Sequence, residues 1–186
     1  SVMTALLSQA GNVTLSGSQL TSQRDATLAS LTMAGSEAAF GNTTVAGDVS
    51  VTGGVLTTGN LMGQNLTVRD QASVNGKTAH VASLDAKDGT IVLDAITSDG
   101  TILLDNTTLK GHVVSGADMI VTNAGAVTST GATTLDSLTM MNAEDSSFGD
   151  LTVNGNVSLT GTKLTANLVK GGRSPRPTSP PRARPN

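Results

Sequence analysis

Few residues in this chain could do chemistry. It holds two histidines, His80 and His112, and no cysteine. A zinc site needs several His, Cys or carboxylate ligands at set spacings, and neither histidine has a second at a spacing such as H-x-x-x-H. Acyl transfer needs a hydroxyl beside a histidine; serines abound, but no G-x-S-x-G elbow presents one. Neither G-x-x-x-x-G-K-[ST] nor G-x-G-x-x-G occurs, so the glycines read as corners rather than phosphate cradles. Asp85-Ala-Lys-Asp88-Gly89 has two carboxylates in a calcium-loop-like stretch, without alternating Asp/Asn ligands or a closing Glu. Five N-x-[ST] sequons, at Asn12, Asn42, Asn65, Asn106 and Asn156, would take glycans in a secreted eukaryotic protein. Strand grammar in an Asn- and Thr-rich chain produces the same triplets unaided. The expectation is no catalytic, no cofactor-binding and no metal-ligating residue, with exposed histidines and solvated corner acids.

Composition narrows the partners. Residues 1–170 carry seven basic and fourteen acidic side chains, a balance of −7, while residues 171–186 carry four arginines and all five prolines. An acidic body without Trp or Tyr repels phosphates and offers no stacking platform, so a nucleic-acid partner is not expected. A sugar-cleaving enzyme is not expected either, for want of basic and aromatic groups. No apolar run approaches the ~20 residues that span a bilayer, so no membrane insertion is expected. The tail, with its Pro177-Thr-Ser-Pro180 match for polyproline readers, reads as a disordered, semi-extended segment. The opening Ser1-Val2-Met3-Thr4 lacks the charged and apolar regions of a signal peptide and reads as a processed product or excised fragment.

The elements that hold these residues follow from one recurring phrase: Gly, a polar residue, then apolar, Ser/Thr, apolar. It appears as Gly11-Asn-Val-Thr-Leu15, Gly47-Asp-Val-Ser-Val51, Gly149-Asp-Leu-Thr-Val153 and Gly155-Asn-Val-Ser-Leu159. Alternation with period two is a strand with one buried and one wet face, and Gly, Asn and Asp supply the turns between. No convincing helical stripe exists; the first ten residues come closest. On a longer scale Leu28, Leu31, Met33, Phe40, Val49 and Gly53 recur as Leu135, Leu138, Met140, Phe148, Val157 and Gly161. A shorter echo pairs "GTIVLDAITSD" (89–99) with "GTILLDNTTLK" (100–110).

Self-similarity with short strands and no crossover helices predicts an all-β parallel β-solenoid with short Gly/Asn corners over residues 1–170. At roughly 20 residues per rung it would stack about eight rungs into a rod of about 40 Å. Small branched side chains suit such a narrow core, and Phe40 and Phe148 read as plugs at wider points. An antiparallel sandwich and a trimeric interdigitated β-fibre are the alternatives.

"AGNVTLSGSQLTSQRDATLASLTM" (Ala10–Met33) resembles the repeats of filamentous-haemagglutinin-type exoproteins of bacterial two-partner secretion. Gly11-Asn-Val-Thr-Leu15, Gly17-Ser-Gln-Leu20 and Arg24-Asp-Ala-Thr-Leu28 carry the likeness. "TVNGNVSLTG" (Thr152–Gly161) is also similar to fibre-shaft β-repeats. The resemblance implies a right-handed β-helix, export to the cell surface or medium, and an adhesin shaft; it transfers no catalytic residue. The function expected is therefore a non-enzymatic rod, with self-association through solenoid ends or faces and an unspecified surface receptor as partners. A self-assembling filament subunit or a trimeric phage or viral fibre shaft is the alternative.

Overall fold

The computed structural model describes residues 2–4, 9–22 and 24–170, apart from the side chains of residues 4, 169 and 170. Described residues form twenty strands and no helix, and the strand pairings are parallel. The chain coils in about 9 turns into a β-solenoid. At ~4.8 Å per rung this is a rod of about 43 Å. Parallel pairing closed within one chain sets aside the antiparallel sandwich and the interdigitated fibre.

A rung advances by 17, 18 or 19 residues, as the pairs Val49↔Leu66, Leu66↔Leu84 and Met119↔Leu138 show, rather than by the roughly 20 read from spacing. Each rung has three faces. The first runs through Asn12–Ser16, Val49–Thr52, Asn65–Arg69, Ser83–Lys87 and Ile102–Asp105 to Val157–Thr160. The second runs from Gln19–Thr21 through Val55–Thr57 and Thr108–Lys110 to Leu164–Thr165, and the third from Ala26–Leu28 through Thr43–Val45 and Val113–Ser115 to Leu151–Val153 and beyond.

Stacking turns the repeated phrase into columns. On the first face one inward column reads Val13, Leu31, Val49, Leu66, Leu84, Ile102, Met119, Leu138, Val157. From Leu31 to Leu138 every member is at most 2% exposed. One rung cannot bury these side chains; a neighbour on each side does so, at ~25 cal/mol per Å² of apolar surface covered.

The two similar stretches fall in register with this helix. Six steps of pairing carry Leu31 to Leu138, so Ser30–Gly53 and Ser137–Gly161 are the same stretch, a little over one rung long, met twice. The shorter echo is different: Ile91 lies in the second-face core and Ile102 in the first-face core. Eleven residues is no rung, so these similar phrases fill unlike positions.

Corners have their own columns. Among the described residues, the twelve with positive φ lie between the first and second faces: Gly17, Gly35, Gly53, Gly54, Asp70, Gln71, Asp88, Asn106, Asn123, Ala124, Asn142 and Gly161. Gly, Asn and Asp tolerate the left-handed region best, so this one corner sets where they recur. At the opposite end of each first-face strand a ladder of backbone bonds links Ala29, Gly47, Gln64, Ala82, Gly100, Ala117, Asp136 and Gly155. A Cβ on Gly47 would lie 2.8 Å from the Ala29 carbonyl oxygen, so glycine fits the corner of this rung, whereas a Cβ on Gly11 would meet open space.

Where it is described, at residues 2–4 and 9–10, the weak helical stripe of the first ten residues is strand instead. Val2–Thr4 pairs with Gln19–Thr21, and Gln9 onward pairs with the strand that starts at Ala26. Extended pairing satisfies these backbones where an isolated turn of helix would be marginal. Residues 5–8 and the tail 171–186, with its Pro177–Pro180 motif and arginines, lie outside the described residues.

Candidate functional site

His80 and His112 are two rungs apart and in different columns. His80 points outward from the third face, in line with Thr44, Met62 and Thr97. Its Nε2 lies 3.0 Å from Asp99 Oδ1, with both side chains more than half exposed. His112 sits just before the third-face strand Val113–Ser115, and its Nδ1 lies 2.9 Å from Thr130 Oγ1 of the next rung. Each histidine thus has one lateral partner, supplied by solenoid stacking.

Asp85 and Asp88 are not brought together as a loop. Asp85 faces outward on the first face, where Arg69 of the preceding rung approaches it at 2.9 Å and also donates to its carbonyl oxygen. Asp88 stands in the left-handed corner and accepts from Asn106 Nδ2 at 2.8 Å. Asp70, Gln71, Asp88 and Asn106 there line an open groove of about 710 Å³ with Thr90 and Thr108. Among the described residues no three His, Cys, Asp or Glu side chains lie close enough together to hold a metal ion.

All five sequon asparagines are exposed corner residues. Asn12, Asn65 and Asn156 occupy one column, the polar residue of the phrase. Asn12 Oδ1 accepts from Ser30 at 2.8 Å, Asn65 donates its backbone and side-chain N–H to Asp48 Oδ1 at 3.1 and 3.2 Å, and Ser83 donates to Asn65 at 2.7 Å. Asn42 belongs to a second ladder, Asp25–Asn42–Asn60–Thr78, at the start of the third face. Asn106 belongs to the left-handed corner. In every case the middle residue of the triplet points inward and the Ser or Thr outward, so each triplet follows from the rung's own alternation.

Among the described residues, the sequence does not announce the ion pairs Arg69–Asp85 and His80–Asp99. Their separations of 16 and 19 residues are near one rung, the only signal that could have marked them.

No closed cleft gathers these groups: they are distributed along the outside of a rod, one rung at a time. Among the described residues no helix is long and apolar enough to cross a membrane. Compared with protein-family models, curated proteins and solved structures, the chain matches none.

Proposed function

We propose that this chain is a non-enzymatic structural rod, a shaft or adhesin segment of a secreted or surface-displayed bacterial fibre. One observation carries the reading: the two inward columns of the first face stay apolar from Val13 and Leu15 to Val157 and Leu159, while the polar groups outside form ladders parallel to the axis. Such a molecule provides length, stiffness and a repeated surface rather than a reaction site. The likeness of Ala10–Met33 to haemagglutinin-type repeats supports the bacterial, exported setting. The acidic body supports a role apart from nucleic acids.

Antibodies raised against the full chain test this on intact source cells and their culture medium. Gold label on extracellular filaments or the cell surface is the expected result. Label confined to the interior of permeabilised cells would remove the fibre reading.

A further inference from the structure

Four of the exposed large apolar side chains lie at the two ends of the solenoid: Val2 at 77%, Met3 at 59%, Leu159 at 45% and Leu168 at 59%. Met3, Leu159 and Leu168 are core residues by position, Met3 pairing with buried Leu20, whereas Val2 pairs with the outward-facing Gln19. Leu159 continues the column of Met33, Val51, Val68, Ala86, Leu104, Val121 and Met140, all 0% exposed, and Leu168 continues that of Leu61 and Leu151. Their exposure records only that no strand lies on the last rung among the described residues.

The six-rung repeat says what such a rung accepts. Asn156-Val-Ser-Leu-Thr160, with Leu164 and Leu168, is the counterpart of Asp48-Val-Ser-Val-Thr52, with Leu56 and Leu61. Inside the chain that earlier rung is covered by Asn65-Leu-Thr-Val68, whose Asn65 bonds Asp48. Asn12-Val-Thr-Leu15 is the same phrase as Asn65-Leu-Thr-Val68, three rungs earlier. It pairs with Ser30–Ala34 on one edge, and its other edge carries no strand among the described residues.

We infer that the C-terminal rung of one copy docks beneath the N-terminal rung of a second copy, head to tail. This rests on the rod reading and extends it. Asn156 would sit under Asn12 as Asp48 sits under Asn65, with Val157 under Val13 and Leu159 under Leu15. One corner further, Leu164–Thr165 would lie under Leu20–Thr21, the place Met3–Thr4 holds within a single copy. The junction is therefore a strand exchange: Val2–Thr4 and Gln9–Ala10 give way to the incoming Leu164–Thr165 and the strand that follows. On two faces one strand replaces a similar one, so little changes. The gain is on the first face, where two edges without a partner strand among the described residues pair and Val157 and Leu159 become covered.

The absence of native cysteine makes the register testable in the full chain. Thr14 and Ser158 both face outward on the first face, and parallel neighbours ~4.8 Å apart are within disulfide reach. Oxidised Thr14→Cys/Ser158→Cys protein is expected to run as a ladder of multiples on a non-reducing gel. Adding Leu159→Asp, at a position already exposed, should cut the ladder about ten-fold or more while circular dichroism stays unchanged. Val113→Cys/Ser158→Cys serves as the random-collision control. Monomer bands alone, a ladder as strong in the control, or a Ser158→Cys single variant that cross-links to dimers as readily as the double variant forms its ladder would each overturn head-to-tail docking. Elongated monomers in scattering would sink the docking and leave the rod intact, whereas compact monomers would sink the rod itself.

Discussion

Phe40 and Phe148 occupy one corner column of the solenoid, six rungs apart, both nearly buried. The column between them runs through Thr58, Gly76, Leu93, Gly111 and Ser129, so each bulky side chain is flanked by small ones. A Cβ on Gly76 would already lie 3.1 Å from Leu93 Cδ2, which shows how the column trades volume between rungs. Phe40→Ala and Phe148→Ala are each expected to destabilise by about 3–5 kcal/mol, since small neighbours cannot collapse into the space. At this distance the two losses should add to within about 0.5 kcal/mol in the double variant. Chemical denaturation of the three variants checks this, and strong non-additivity would mean that the rungs do not pack independently.

The left-handed corner yields a graded series. A Cβ on Gly35 would meet only open space, whereas a Cβ on Gly54 would collide with the Ser36 backbone. Gly35→Asn should be close to neutral, matching the asparagines that hold this corner in later rungs. Asn106→Val should cost roughly 1–2 kcal/mol for a β-branched residue at positive φ. Gly54→Ala should cost the most, on the order of 4 kcal/mol. Thermal melts give the order, and a Gly54→Ala protein as stable as Gly35→Asn would contradict the corner geometry.

Much of this was legible in the sequence, and the parts that were not share a cause. Gly47-Asp-Val-Ser-Val51 announces a strand with Val49 and Val51 inward, because alternation is local and needs no knowledge of the fold. The rung length is not local. It is set by corners of varying size, so spacing judged between phrases overshot, and the echo of 89–99 in 100–110 suggested a period that the helix does not have. Positive φ at Gln71 and Ala124 had no composition cue at all, since only their column forces it. The same holds for the candidate chemistry. Asn12, Asn65 and Asn156 look like separate sequons until one period places them in a single ladder, and Arg69 meets Asp85 only because the chain returns after one turn.

The Arg69–Asp85 pair should contribute little through charge. With both side chains about a third to a half exposed, Asp85→Ala is expected to cost less than about 1 kcal/mol, and less still at high salt. Arg69→Ala should cost more, because Arg69 also donates to the Val68 and Asp85 carbonyls and bridges two rungs. Equal losses, both abolished by salt, would show that charge alone acts there.

Stability along the rod should be graded. Each rung touches only its two neighbours, so opening begins at the ends. Native-state hydrogen exchange should find the slowest amides in the central rungs, around Leu66, Leu84, Ile102 and Met119, with protection falling toward Asn12–Ser16 and Val157–Thr160. Uniform protection followed by a single global opening would indicate one cooperative block instead.

The most direct test of a function vested in stacked length is to change the length. Duplicating residues 47–63 inserts one whole rung and returns the chain to the same face, since Gly47 leads to Gln64 one turn later. Duplicating only residues 47–55 ends on the wrong face and throws every later core column outward. The full-rung chain is expected to melt cooperatively at or above the parent temperature, while the half-rung chain loses its folded transition. Equal tolerance of both insertions, or equal collapse, would contradict a rod built from interchangeable rungs.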